Sequence, residues 1–127
     1  MTRVLFVGQK PETVDFTDPS LPPGFNAEKI REGFEVAKTS MRERGWHHDL
    51  CMIAPDDSGI AMLAAQLAKQ DYDCVVIGGG LRIPPKGLPF FERVVNAIHK
   101  GAPKAAIAFN TRPQDTAEAA ARWVGAD

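Results

Sequence analysis

Three short stretches of this chain join flexible backbone to cations and amides. Gly78-Gly79-Gly80-Leu81-Arg82 follows the apolar run Cys74 to Ile77, Asn110-Thr111-Arg112 follows Ala105 to Phe109, and Gly8-Gln9-Lys10 follows Val4 to Val7. Glycines in such places let backbone N–H groups approach an anion closely, and arginine or lysine supplies the countercharge. Gly8, Gln9, Lys10, Gly78, Gly79, Gly80, Arg82, Asn110, Thr111 and Arg112 are therefore the candidate ligand-binding residues, with Lys86 a further cation nearby. The chemistry they suit is recognition of a small phosphate- or carboxylate-bearing molecule. A glycine run is equally what an ordinary strand-to-loop turn needs for packing. The Gly-Lys-Ser/Thr ending of a phosphate loop is absent, and a single glycine follows the first run where a dinucleotide fingerprint needs three.

Other reactive side chains have simpler readings. Asp56-Asp57-Ser58 precedes an apolar stripe, so it reads as a helix cap before it reads as a metal or acid–base site. Lys10 and Asp57 are the general acid or base candidates near the three stretches. His47 and His48 precede the second strand and are expected at the surface, and His99 beside Lys100 suits a helix C-terminus. Cys51 and Cys74 form no disulfide framework and match no metal spacing; both fall within strands, where cysteine packs as a small hydrophobe. No serine or cysteine has a predictable histidine partner.

The elements that must carry these residues follow from hydrophobic period. Val4 to Val7, Leu50 to Ala54, Asp73 to Ile77 and Ala105 to Phe109 are short runs without polar alternation, as in strands buried on both faces of a parallel sheet. Between them run helical stripes: Ile30, Phe34, Ala37 and Met41, then Ile60, Leu63, Ala64 and Leu67. The third is Phe91, Val94, Val95 and Ile98, and the last is Ala117, Ala120, Ala121 and Val124. Asn26 caps the first helix, Gly45 stops it, and Trp46 is placed to fold back on it. Thr111-Arg112-Pro113-Gln114 reads as a capping box opening the last helix. Arg112 there opposes the helix dipole, which a visiting anion would explain. Trp123 lies off its helix's main stripe and marks an exposed apolar patch.

Four β-α units predict an α/β fold: a three-layer, Rossmann-like or flavodoxin-like domain over residues 1–127 with a four-stranded parallel sheet in the order 2-1-3-4. Strands one and three are the most apolar and belong in the centre. Ligands of such sheets bind beyond the carboxyl ends of the strands where the order reverses, and the three stretches above all fall there. Residues 9–26 hold Pro11, Pro19, Pro22, Pro23 and Gly24, which exclude long regular elements. A connection of that length is a lid or a covering loop, and Phe16, Leu21 and Phe25 could fold over an apolar ligand.

With Asp71 to Arg82 and Ala108 to Thr111 in view, the chain resembles small uncharacterised α/β proteins of bacteria and fungi. That resemblance implies no activity and carries over no catalytic residue. Flavodoxin-like families fit in architecture only, since the hydroxyl-rich flavin phosphate loop is missing after strand one. Composition bounds the rest. Of 127 residues 44% are hydrophobic and 24% charged, with 15 basic against 16 acidic side chains and a net charge of -1. That excludes wholesale disorder and argues against a nucleic-acid partner. No run is long enough to span a membrane, no signal peptide is evident, and a reducing cytoplasm is the expected home. Cofactor and reaction stay open. Two functions follow: a binding protein for a small anion at the carboxyl rim, or an assembly module forming a homodimer through its edge strand, from Lys104 to Asn110.

Overall fold

Val4, Leu5, Phe6 and Val7 are at most 1% exposed, so the first strand is covered on both faces. The computed structural model describes residues 1–82 and 87–124. Its strands are β1 (Arg3–Gln9), β2 (His47–Ile53), β3 (Cys74–Ile77) and β4 (Ala106–Phe109). They form one parallel sheet in the order β2-β1-β3-β4, as the pattern of runs predicts. The helices are α1 (Ala27–Glu43), α2 (Asp57–Lys69), α3 (Gly79–Arg82), α4 (Leu88–Gly101) and α5 (Thr116–Ala121).

Alternate residues of each strand feed the two cores. Leu5, Val7, Cys51, Ile53, Val75 and Ile77 pack with Leu63 and Leu67 of α2 and Val94 and Ile98 of α4. Val4, Phe6, Cys74, Val76 and Ala108 pack with Ala37 and Met41 of α1 and Ala117 and Ala120 of α5. Helices thus cover both faces, giving three layers.

Local chemistry sets the helix ends. The Asn26 side chain accepts from the Lys29 amide at 2.9 Å and opens α1. At its other end Gly45 has φ +78°, the Gly45 amide donates to Arg42 O at 3.0 Å and the Trp46 amide to Met41 O at 3.2 Å. This is a Schellman motif, and Trp46 folds back into the core that holds Met41. Asp56 caps α2, accepting from the Ser58 and Gly59 amides at 3.0 and 3.2 Å.

Several expectations need correction. β1 continues through Gly8 to Gln9, because both pair with β2, at Met52 and Ile53. The same ladder starts β2 at His47, opposite Arg3, rather than at Leu50. His47 and His48 are therefore strand residues, and His48 is half-buried. An edge strand half open to solvent has no continuous apolar run to announce its start. Ala64 is exposed, and α2 instead packs through Gly59, Ile60, Leu63 and Leu67.

Gly59 brings α2 against the end of β2. A Cβ there would lie 1.9 Å from Ala54 O, a backbone atom that cannot swing aside. Gly59→Ala should therefore lower stability by about 1–3 kcal/mol, read as a reduced midpoint in urea denaturation with an unchanged m-value.

Candidate functional site

β1 and β3 lie side by side, yet the chain leaves β1 for α1 on one face and reaches β3 from α2 on the other. Their carboxyl ends open on a cavity of about 760 Å³. Phe6, Ile30, Phe34, Leu81 and Phe90 line it, with Leu21, Pro22 and Phe25 from the 10–26 connection. These walls are apolar and largely aromatic. Phe6 and Phe34 meet edge-to-face at 5.7 Å. Phe16 does not line the cavity; it packs on Phe25 at 6.1 Å from outside.

The 10–26 connection is folded by its own turns. Pro11–Thr13 is a 3-10 turn of three residues, consistent with the exclusion of long regular elements. Asp15 accepts from the Thr17 amide at 3.0 Å and Asp18 from the Ser20 amide at 2.9 Å. The Lys10 amide donates to Ile53 O at 2.9 Å, Gln9 donates to Thr13 O at 3.0 Å, and Glu12 pairs with Arg31 of α1. The segment is an ordered roof.

Of the ten residues singled out in the sequence, the cavity brings together eight: Gly8, Gln9, Gly78, Gly79, Gly80, Asn110, Thr111 and Arg112. Lys10 and Arg82 are not among its lining residues, and Lys86 lies outside the described residues. Arg82 turns its guanidinium to Asn110 O at 2.8 Å and over the Phe109 ring at 5.9 Å. It buttresses the wall. Asp57 pairs with the exposed Arg93 at 2.8 Å, also away from the cavity lining.

The three glycines differ in what holds them. Gly78 is closely packed: a Cβ would stand 3.2 Å from Phe6 and 3.3 Å from Val7 O, tighter than an ordinary contact. Gly79 is buried, and α3 begins there rather than an open loop. Gly80 has an ordinary backbone conformation, and a Cβ there would meet nothing within 4 Å. Packing gives no reason for glycine at position 80, at a site lining the cavity.

Most backbone donors of the rim already have internal acceptors. The Gly78 amide donates to Val7 O at 2.8 Å, and the Gly79 amide to Asn110 Oδ1 at 2.9 Å. Asn110 is 1% exposed and donates through Nδ2 to Thr116 Oγ1 at 3.0 Å, so its amide is spent on tying α3 to α5. The expected capping box of Thr111 with Gln114 is replaced by Asp115. Its carboxylate accepts from the Thr111 amide at 3.0 Å, the Thr111 hydroxyl and the Arg112 amide at 3.3 Å. A resident carboxylate thus answers the dipole beside Arg112. The sequence reading missed Asp115, although an acid three residues after an N-cap position is the ordinary signal for it.

The remaining cations of the lining are Lys29 and Arg112, both exposed, and neither side chain makes a hydrogen bond or ion pair among the described residues. Cys74 supplies no nucleophile, since burial and the neighbouring Asp73 push its thiol up to about 12. Among the described residues no helix is long and apolar enough to cross a membrane.

Two outcomes check this geometry. Asn110→Ala strands the Gly79 N–H in a buried place and should cost about 1–3 kcal/mol, visible in chemical denaturation. Acid should also loosen the roof and α2. Glu12 is held below its ordinary 4.5 by backbone hydrogen bonding and Arg31, and Asp56 below 3.8 by Ser58 and the Gly59 amide. Lowered carboxylates stabilise the fold above their ordinary values and stop doing so as pH falls through the folded ones. The melting temperature should therefore decline below about pH 4, and Asp56→Asn should flatten that decline. No family model matches the chain. Among the curated proteins no match is found either.

Proposed function

We propose that the protein binds a small molecule in the rim cavity, with an apolar body against the phenylalanines and an anionic group toward Gly80, Arg112 and Lys29. The carrying observation is the cavity of about 760 Å³ at the point where strand order reverses. That volume and that mixture of apolar walls with few polar groups are usual for a small-molecule site. Gly80 supports the reading, since a side chain missing without a packing reason leaves room for a ligand to approach the backbone. Gln9 and Asn110 shape the floor, and Gly8, Gly78, Gly79 and Thr111 complete it. The buried free thiols of Cys51 and Cys74 suit a reducing cytoplasm.

The test is thermal stability at low salt against phosphates, nucleotides and organic acids, using wild type, Gly80→Ala and Gly80→Leu. A ligand at 100 times its dissociation constant adds about 2.7 kcal/mol. Gly80→Ala should match or exceed the wild type in stability by up to about 1 kcal/mol, because alanine suits a helix better than glycine. Gly80→Leu should fold but lose the ligand-induced shift. Retention of the full shift in Gly80→Leu would remove the cavity from the reading.

The second reading is a homodimer through β4. It is favoured by the position of β4 at the sheet edge and by Trp123, 62% exposed, and Phe109, 38% exposed. The outward edge is partly covered, since Arg122 donates to Phe109 O at 2.9 Å. Sedimentation at micromolar concentration discriminates: dimer that dissociates on Ile107→Pro supports assembly, and monomer alone sinks it.

A further inference from the structure

From the cavity's donor inventory we infer that its occupant is an aromatic monocarboxylate rather than a phosphate ester. The inference rests on the cavity reading above and narrows it. A phosphate group has several peripheral oxygens and is ordinarily held by a fan of converging backbone N–H groups. This rim has spent most of that fan on itself. The amides of Gly78, Gly79, Thr111 and Arg112 donate to Val7 O, Asn110 Oδ1 and the Asp115 carboxylate, and the Leu81 amide to Gly78 O at 3.1 Å. Asp115 also sets a negative charge beside the rim, against which a dianion is worse placed than a monoanion.

What is left suits a planar, singly charged group. Arg112 lines the cavity, its guanidinium has no hydrogen bond or ion pair among the described residues, and a guanidinium fork matches one carboxylate bidentately. Lys29, on the first turn of α1, adds a second positive charge to the lining. The acids of the lining, Asp15 and Asp18, accept from Thr17 and Ser20 in their own loop turns. The body of the ligand faces Phe6, Phe25, Phe34 and Phe90. Ring edges and faces so arranged favour another aromatic ring over a flexible alkyl chain.

Three probes with one body separate the outcomes: 2-naphthoate, 2-naphthyl phosphate and 2-naphthalenemethanol, titrated into the full chain by calorimetry at low salt. The expected order is naphthoate tightest, by tenfold or more over each of the others. Arg112→Ala, checked for folding by circular dichroism, should weaken naphthoate about tenfold, the loss of one charge-assisted pair, and leave the alcohol unchanged. Naphthyl phosphate binding as well as or better than naphthoate overturns the carboxylate inference and leaves the cavity reading standing. Equal binding of alcohol and naphthoate, or no effect of Arg112→Ala, also overturns it. Failure of all three probes to bind overturns the inference together with the cavity reading it rests on.

Discussion

β1 sits between β2 and β3, and everything distinctive about the molecule follows from that placement. A right-handed crossover through α1 carries the chain to one side of β1, and a second through α2 carries it back over the other face. At their carboxyl ends the chain leaves β1 for α1 on one face and β3 for α4 on the other, so a crevice is left above β1 and β3. The burial of Val4 to Val7 and Val75 to Ile77 marks β1 and β3 as the central pair, since only the two central positions of a four-stranded sheet are covered by helices and by strands on both sides.

The crevice is walled by side chains whose main work is elsewhere in the fold. Phe6 is a core residue of β1, Phe34 belongs to the inward stripe of α1, and Asn110 joins α3 to α5 through two hydrogen bonds. A site built this way is stiff at its base, because moving a wall residue disturbs the core beneath it. The roof is different in kind. It is held by short-range turns and by a few ties at its first residues, Gln9 to Thr13 and Glu12 to Arg31. The floor of the cavity therefore belongs to the core, while its roof is a loop folded on its own.

The rim also shows how a fold can answer its own electrostatics. Arg112 at the start of a helical segment looked like a cation in want of an anion. Asp115 answers the helix dipole from three residues away, with its carboxylate on the amides of Thr111 and Arg112, and the Arg112 side chain is left without an ion pair among the described residues. Arg82 likewise satisfies a carbonyl of the chain before any external group. The charges available to a ligand are the residue after this internal pairing, and they are fewer than the sequence displays.

Strand number, parallel direction and order were legible in the sequence because they depend on the lengths and completeness of apolar runs, which are local properties. So were the Asn26 cap and the Gly45 stop with Trp46 folded back on Met41, each decided within a few residues by backbone hydrogen bonding. The start of β2 was not, because an edge strand is drawn in by pairing with β1 and not by its own composition. Nor could spacing alone separate Gly78, closely packed on Phe6 and Val7 O, from Gly80, whose Cβ would meet nothing within 4 Å. Identical residues two positions apart have different reasons to exist only once distant strands are packed against them. The same holds for the eight lining residues and for Lys10 and Arg82, which do not line the cavity. Which side chain faces the cavity and which is used up by a neighbour is a matter of direction and partner, and those are set by tertiary packing.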